Sequence, residues 1–252
     1  MKKLDIGAFA SETRRRRLHL FLDFDGTLSP HRPDGGNSAA LPEARAALAV
    51  LCRTPGMRVS IISGRPVTDL RPRVGVPQVS SYAGNHGLVI SDPQAPFEHP
   101  QATIIRRAFH TAARLIRSKV RAVPQAEVGH NGLSLSLNVG RVPPLRRRTV
   151  GRIVQALRDE LFDLRLRWQE GYLGWDLIAD VEWNKGDALS HLMRASPRMF
   201  PVAIGDGASD EAMFERVAGS GLAIRVGKAR SSAANWFVRD PGEVAVLLKA
   251  LS

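Results

Sequence analysis

The 252-residue chain is 44% hydrophobic and 24% charged, which is typical of a globular protein with one core, or with a core and a smaller insert. It has one cysteine and no apolar run of about 18 residues, so we expect no internal disulfide, no membrane contact, no secretory signal and a cytoplasmic location. The formal net charge of +12 favours anionic ligands but does not choose between phosphorylated metabolites, nucleic acids and acidic lipids.

Strands and helices alternate in the first third of the chain. A basic run from Arg14 to Arg17 is interpreted as a solvated lead-in to the first strand. The elements predicted after it are a strand over residues 18–22, a helix beginning at Pro42, a strand over 57–62, a helix over 66–70 and a strand over 78–83. This order is typical of a parallel α/β sheet.

The same alternation returns near the C-terminus, whereas the middle of the chain has a different pattern. The C-terminal elements are predicted over residues 185–195, 201–204, 210–217, 221–226, 236–238 and 241–251. The middle is predicted to hold helices over 101–121 and 144–161 and strands over 133–139, 164–169 and 172–178. We therefore predict an α/β core formed by residues 1–98 and 183–252, with a smaller α+β domain inserted at 99–182.

Two carboxylates, Asp23 and Asp25, follow the first apolar strand. Open α/β sheets bind ligands at the carboxyl ends of their strands, and the turn at Gly26-Thr27 bends the chain so that both acids serve one site. A strand-end carboxylate can attack phosphorus to form an aspartyl-phosphate, and a second one can protonate the leaving oxygen and then activate water. Two surface acids in a turn are the alternative, which the preceding apolar strand disfavours.

Four motifs resemble those of the HAD superfamily, and they occur in the same order along the chain. They are Asp23-Phe24-Asp25-Gly26-Thr27-Leu28, Ile61-Ile62-Ser63, Asn184-Lys185-Gly186 and Gly205-Asp206-Gly207-Ala208-Ser209-Asp210-Glu211. The resemblance implies a Rossmann-like HAD core with a parallel sheet. Because the insert lies between the second and third motifs, it also implies a cap domain of the C2 type that selects the substrate.

The resemblance further implies a magnesium-dependent reaction with defined residue roles. Asp23 is the expected nucleophile, Asp25 the expected general acid and base, and Lys185 a further catalytic residue. We expect Mg²⁺ to be held by Asp23, the main-chain carbonyl of Asp25, Asp206 and, through water, Asp210.

The phosphoryl group is expected to contact the second and third motifs. Ser63, Gly64, Arg65 and Lys185 are the predicted phosphate-binding residues, because hydroxyl and cationic groups neutralise and position phosphoryl oxygens. A plain turn at Ser63-Gly64 and a solvated lysine at a helix start are the alternatives, although a lysine at that end opposes the helix dipole.

Three longer stretches resemble the trehalose-6-phosphate phosphatase family. They are residues 61–70, residues 82–88 and residues 184–189. Four positions depart from the usual pattern of that family, namely Val89, Asn138, Asp176 and Gly207. The core chemistry is expected to survive these departures, whereas the contacts of the cap to the sugar stay open.

Candidate substrate contacts come from both predicted domains. They are Asn85, His86 and Gly87 in the core, and Glu127 and Asp176 in the cap. A solvated carboxylate is an equal alternative for each of the two acids. Trp168 and Trp175 could stack on a sugar ring, although packing inside the cap is favoured.

We predict a phosphoric monoester hydrolase of trehalose biosynthesis that converts trehalose 6-phosphate and water to trehalose and phosphate. Alternatives in the same class are sucrose-phosphate and glycosyl-glycerate phosphatases and phosphomannomutase. From other classes, the +12 charge and the run Arg146-Arg147-Arg148 motivate a nucleic-acid-binding protein on a HAD fold, and a phosphate sensor without turnover is also open. We expect a small sugar phosphate as partner, no nucleic acid or membrane, and a monomer or weak oligomer. The cap is expected to close on hinges at residues 92–99 and 180–184.

Overall fold

The computed structural model describes residues 1–32, 38–171 and 173–252, which form two compact units. The first unit consists of Met1–Pro30, Ser38–Glu98 and Trp183–Ser252. The second consists of residues 99–182 together with His31 and Arg32. The longest segment of the second unit leaves the first unit after Glu98 and returns to it at Trp183, and the larger unit is built from three separated parts of the sequence.

The elements of both units are numbered together along the chain. The strands are β1 (Lys2–Lys3), β2 (Leu18–Leu22), β3 (Met57–Ile62), β4 (Ser81–Gly84), β5 (Val89–Ser91), β6 (Phe97–Glu98), β7 (Glu127–His130), β8 (Ser134–Asn138), β9 (Leu166–Gly171), β10 (Gly174–Ala179), β11 (Phe200–Gly205), β12 (Leu222–Val226) and β13 (Trp236–Val238). The helices are α1 (Ile6–Thr13), α2 (Pro42–Leu51), α3 (Val67–Val74), α4 (Ala102–Val120), α5 (Pro144–Glu160), α6 (Lys185–Arg194), α7 (Glu211–Val217) and α8 (Pro241–Leu251).

A mostly parallel sheet organises the first unit. Among the described residues it has nine strands in the order β1-β13-β12-β11-β2-β3-β4-β5-β6. Neighbours from β1 to β4 in that order pair in parallel, and β5 and β6 extend the edge in antiparallel pairs. The predicted α/β fold with a parallel sheet is confirmed. Parallel pairing brings the carboxyl ends of β2, β3 and β11 to one edge, where the sequence places its first, second and fourth motifs.

Helices cover both faces of this sheet, which explains why every residue of β2 is buried. Leu20 and Leu22 belong to an apolar cluster with residues of α2 and α8. Phe21 points to the opposite face, because successive strand residues alternate, and there it clusters with Leu189 of α6 and Phe214 of α7. Burial on both faces thus explains why the sequence before Asp23 is an apolar run, as is typical of a central strand.

His19 is a buried polar residue in the same strand. Its Nδ1 lies 2.7 Å from the hydroxyl oxygen of Ser196, and its Nε2 lies 2.7 Å from that of Ser60, which in turn bonds Ser81. Burial, together with the nearby charge of Arg58, lowers the pKa of the imidazole from 6.5 to about 3. His19 is therefore neutral in the folded protein at physiological pH.

The second unit is an antiparallel sheet with helices on one face. In the described part of the chain, its strands follow the order β7-β8-β10-β9. The leucines of β8 are buried, and Leu137 stands opposite Trp175 of β10. Trp168 of β9 stands opposite Leu177 and so shares the face of Trp175, which lies beside Gly151 of α5. The two tryptophans therefore lie on the helix-covered face, which supports packing rather than sugar stacking.

The structure differs from the predicted elements in several places. It adds β1, α1, the antiparallel edge strands β5 and β6, and a fourth cap strand, β7. Helix α3 was predicted to end at residue 70, but it continues past Pro72 to Val74. Buried Leu70 and Val74 lie one turn apart on the inner face, and Gly75, with φ of 66°, ends the helix with its N–H on the carbonyl of Arg71.

The last predicted cap strand was placed two residues early. It runs from Gly174 to Ala179, and Tyr172, where we predicted its start, lies outside the described residues. None of the helices in the described ranges is both long enough and apolar enough to span a bilayer.

Candidate active site

Asp23 occupies the carboxyl end of β2 and is held from both sides. Its N–H donates to the carbonyl of Ile204, so the backbone pairing with β11 extends one residue past the strand. Its side chain is almost fully buried and accepts a hydrogen bond from the ammonium of Lys185 at 2.7 Å. The same ammonium donates to Oδ1 of Asp210, also at 2.7 Å. One lysine therefore bridges two carboxylates that the sequence separates by more than 180 positions.

The capping of α6 places Lys185 at this point. Asn184 is the N-cap residue, and its side chain accepts the N–H groups of Gly186 and Asp187 while the Asp187 carboxylate accepts the N–H of Asn184. A Cβ at Gly186 would lie 2.3 Å from the carbonyl oxygen of Ala212, so glycine permits close packing of α6 on α7. The reciprocal cap fixes the helix start and thereby the direction of the lysine side chain.

Asp206 and Asp210 come from the loop that follows β11. Oδ2 of Asp210 accepts the N–H groups of Asp206 at 3.0 Å and Gly207 at 2.9 Å, which folds the loop around this carboxylate. Gly205 is required there, because a Cβ would lie 2.4 Å from Cγ of Asp210. Gly207, one of the departures from the family pattern, serves here through its backbone N–H.

Three carboxylates converge at this edge of the sheet. Oxygen atoms of Asp23, Asp206 and Asp210 lie within 4.8 Å of one another. Burial raises the pKa of Asp23 well above its ordinary value; the ammonium of Lys185 partly offsets this effect, and the charges of Asp210 and Asp206 add to it. Burial opposes the charged form of Lys185, but Asp210 and Asp23 outweigh it and raise the pKa of the ammonium. The lysine therefore stays charged.

The charge of this cluster fits a divalent cation. If all three carboxylates were ionised, they and the ammonium would leave a net charge of −2 in a nearly buried space. Oxygen ligands of this kind suit hard divalent metal ions. A bound cation would compensate the negative charge that raises the pKa of Asp23.

The carboxylate of Asp25 is bound by Arg65. The guanidinium donates through Nε and one terminal nitrogen to the two carboxylate oxygens of Asp25, the second bond measuring 2.9 Å. Further bonds run to Asp69 at 2.9 Å and to the hydroxyl of Ser38 at 3.0 Å. The sequence assigned Arg65 to the phosphoryl group, whereas the structure places its guanidinium on Asp25.

The second motif forms a backbone-paired loop at the end of β3. Ser63 donates its N–H to Ala83, its hydroxyl oxygen accepts the N–H of Arg65 at 3.3 Å, and its carbonyl accepts the N–H of His86. The imidazole of His86 lies against Gly64, since a Cβ there would be 2.8 Å from Nε2. The predicted residues Asn85, His86 and Gly87 thus lie directly beside the predicted phosphate-binding residues.

The predicted cap residues lie on the face of the second unit's sheet that the helices leave uncovered. Glu127 stands directly opposite Asn138, and Asp176 stands between Ser136 and Gln169 in the neighbouring strands. The Glu127 carboxylate accepts a bond from exposed Arg141 at 3.2 Å. Alternation along each strand therefore brings together Glu127, Asn138 and Asp176, which the sequence had singled out separately.

Sequence reasoning missed three residues that shape the site. Asp69 accepts bonds from both Arg65 and Arg73, and its position four residues after Arg65 on a helix would have indicated the first pair. Glu211 follows Asp210 and binds Arg225, Ser232 and the N–H of Ala233. Trp183 precedes Asn184 and donates its indole N–H to Gly87.

Comparison with known families agrees with this arrangement. A family model described as trehalose-phosphatase matches residues 21–242, a span that includes all four motifs. The chain belongs to the trehalose-phosphatase family. The resemblance seen in the sequence is confirmed.

Relatives of this trehalose-phosphatase family member span plants, bacteria and fungi. A probable trehalose-phosphate phosphatase of rice, Oryza sativa subsp. japonica, is 30% identical, over 96% of this chain and 68% of its own length. The C-terminal domain of trehalose-6-phosphate phosphatase from C. albicans has 19% identity and a TM-score of 0.85, covering 99% of this chain and 97% of that one. A HAD-superfamily phosphatase from Bacteroides thetaiotaomicron has 16% identity and a TM-score of 0.58, covering 92% and 93%. The two structures share the fold.

The family member is shorter than many of its curated relatives. It spans 60% of the length of a trehalose-phosphate phosphatase from Mycobacterium ulcerans, to which it is 31% identical over 91% of its own length. It spans 72% of a second probable trehalose-phosphate phosphatase from rice. The matched region covers both units of the structure, including the acidic cluster.

Proposed function

We propose that this chain is a magnesium-dependent phosphatase that hydrolyses trehalose 6-phosphate to trehalose and phosphate. The observation that carries the proposal is the buried ammonium of Lys185 between Asp23 and Asp210, with Asp206 close by. Such a cluster binds a metal ion and an anionic group together. The names of the curated relatives support trehalose 6-phosphate as the substrate.

Mg²⁺ is the ion we assign to the acidic cluster, with Asp23, Asp206, Asp210 and the main-chain carbonyl of Asp25 as the residues that would hold it. It supplies Lewis-acid neutralisation of the phosphoryl oxygens and of the attacking carboxylate. The net charge of −2 on the cluster, with all three carboxylates ionised, is the structural observation that fits a divalent ion.

The residues of the chain divide the reaction into two steps. In the first, a carboxylate oxygen of Asp23 attacks phosphorus, the bond from phosphorus to the sugar oxygen breaks, and Asp25 donates a proton to that oxygen. In the second, Asp25 takes a proton from water as the water oxygen attacks phosphorus, which releases phosphate and restores Asp23. Lys185 and the Ser63 loop neutralise and orient the phosphoryl oxygens in both steps.

We propose a further task for Arg65 beside the predicted contact with the phosphoryl group. Because its fork grips both oxygens of Asp25, we assign it to orienting the general acid and base. Asp69 and Ser38 in turn fix the guanidinium. Proton transfer requires a defined direction of the carboxyl group, and this chain of bonds supplies it.

We assign substrate selection to the second unit as a cap of the C2 type. Its uncovered sheet face presents Glu127, Asn138 and Asp176, together with Ser136 and Gln169, as hydrogen-bonding groups for sugar hydroxyls. The glycines that flank this row leave room beside it, since a Cβ at Gly171 would lie 3.0 Å from the Asp176 carboxylate. A polar face of this kind suits a neutral carbohydrate rather than nucleic-acid bases, which need aromatic stacking.

The test is phosphate release with Mg²⁺ across a panel of sugar phosphates. The panel contains trehalose 6-phosphate, sucrose 6-phosphate, glucose 6-phosphate, mannose phosphates, and glucosyl- and mannosyl-phosphoglycerate. We expect the highest kcat/KM for trehalose 6-phosphate, and loss of activity when the metal is chelated. A higher kcat/KM for another sugar phosphate would mean that this compound is the substrate, and the proposed reaction mechanism would still hold.

A substitution at the nucleophile tests the proposed mechanism independently of which sugar phosphate is the substrate. Asp23→Asn is expected to lower kcat by at least about a thousandfold, because the amide is not a nucleophile. Asp5→Asn, at the N-cap of α1, is the matched control and should keep full activity. Wild-type turnover in Asp23→Asn would refute the mechanism. Salt-sensitive binding of DNA or RNA without phosphate release would instead support the nucleic-acid alternative.

A further inference from the structure

An aromatic cluster joins the two ends of the segment at residues 99–182, where the chain leaves the first unit and returns to it. Phe97 lies one residue before the exit at Glu98, and Trp183 is the residue of re-entry. Their rings stack with centroids 4.4 Å apart and an interplanar angle of 18°. His191 of α6 packs against both rings, at 5.2 and 6.4 Å, and its Nε2 lies 3.2 Å from the carbonyl oxygen of Ala95. We call Phe97, Trp183 and His191 the crossing cluster.

The crossing cluster is tied to the turn beside the phosphate-binding residues. The indole N–H of Trp183 donates to the carbonyl oxygen of Gly87 at 2.8 Å. Gly87 has φ of 94°, and a Cβ there would lie 2.6 Å from Cβ of Ala188 and 3.3 Å from Nε1 of Trp183. The close approach of the indole to the turn therefore depends on glycine.

This turn has a backbone that needs support. Asn85 and His86 have φ of 52° and 57°, a left-handed conformation that side chains other than glycine adopt at a free-energy cost. Their N–H groups donate to the carbonyls of Arg65 and Ser63, each at 2.9 Å. Neighbouring bonds must hold such a conformation in place, and the indole bond to the third residue of the turn is one of them.

We propose that Trp183 is a positioning residue for phosphate binding, acting through the turn at residues 85–87 on the loop at residues 63–65. The inference rests on the proposed function. The indole fixes Gly87, the preceding residue His86 lies against Gly64, and the backbone of Trp183 leads two residues later to Lys185. One side chain thus aligns the second and third motifs, the two that contact the phosphoryl group.

The test compares wild type with Trp183→Phe, which keeps an aromatic ring and removes the N–H donor. We expect kcat to fall and KM to rise, so that kcat/KM falls about three- to tenfold, the effect of losing one hydrogen bond. The Kd of inorganic phosphate, measured by calorimetry with Mg²⁺, is expected to rise by a similar factor. Trp236→Phe, on distant β13, is the matched control and should change neither quantity.

Two further measurements keep the result interpretable. Turnover is measured with p-nitrophenyl phosphate as well as trehalose 6-phosphate, so a wrong sugar assignment leaves the comparison of variants intact. Phe97→Leu keeps the indole donor and loosens the stack, so it is expected to give a smaller change in the same two quantities. If Trp183→Phe does not fold and Phe97→Leu does, the Phe97→Leu variant serves as the test. Unchanged kcat/KM and phosphate affinity in the folded variants, even with a lower Tm, would overturn the proposal.

Discussion

Replacing His19 by glutamine is expected to reduce the sensitivity of the fold to mild acid. The imidazole has a pKa of about 3 in the folded chain and an ordinary value of 6.5 when exposed. Below pH 6.5 the His19 imidazole binds a proton in the unfolded chain but stays neutral in the folded chain. The free energy of unfolding therefore falls as the pH drops towards 3. From these values, the loss between about pH 7.5 and pH 5 is about 2 kcal/mol, and it reaches about 4 kcal/mol near pH 3.

Urea denaturation followed by circular dichroism measures this effect at several pH values between about 7.5 and 5. Over that range wild type should lose about 2 kcal/mol more than His19→Gln. The carboxylates of Asp69 and Asp92, whose pKa values are lowered, keep their stabilising contribution until the pH falls below about 4. Ser118→Ala, at an exposed position on α4, is the control and should follow wild type. Parallel curves for His19→Gln and wild type would refute the reasoning.

Three further outcomes concern the site. Gly205→Ala forces Asp210 to move, because the new Cβ would lie 2.4 Å from Cγ of Asp210. The Mg²⁺ concentration for half-maximal activity should therefore rise at least about tenfold, and an unchanged concentration would contradict this prediction. Arg65→Lys keeps the charge but loses the two-pronged grip on Asp25, so kcat should fall about tenfold with the Mg²⁺ dependence unchanged, and wild-type kcat would contradict it. Asp176→Asn should raise KM for the sugar phosphate about three- to tenfold and leave p-nitrophenyl phosphate hydrolysis unaltered; equal effects on both substrates would remove Asp176 from the sugar site.

The acidic cluster could be predicted from the sequence because the positions of two of its acids are set by the ends of neighbouring strands. Asp23 and Asp206 directly follow buried apolar strands, and parallel pairing of β2 with β11 brings those ends to one edge. Lys185 required the resemblance to a family, since nothing local shows which carboxylates a helix-start lysine will meet. Its position became plain only with the packing of α6 on α7.

Side-chain partners across the site could not be predicted in the same way. Arg65 lies in the expected loop, but an arginine reaches in several directions, and Asp25, Asp69 and Ser38 together decide which one it takes. Trp183 looked like an ordinary linker residue. Its role depends on Gly87, which is 96 positions away along the chain.

The elements that were missed have weak local patterns. Helix α1 is short and contains Gly7, and it is set by Asp5, which caps it, and by burial of Phe9. Strand β7 contains Gly129 and has no fully buried residue, so its pairing with β8 rather than its own composition makes it a strand. In both cases tertiary contacts outweigh propensity.

The stacking of Phe97 on Trp183 has a consequence for how such enzymes diversify. The two ends of the inserted segment meet on the surface of the first unit, where a loop of a few residues would be long enough to join them. The acidic cluster, with its lysine and its backbone bonds, lies wholly within that unit. Segments of different length and topology can therefore be exchanged between those ends while the acidic cluster stays intact, and under the proposed role of the cap such an exchange would change the substrate range.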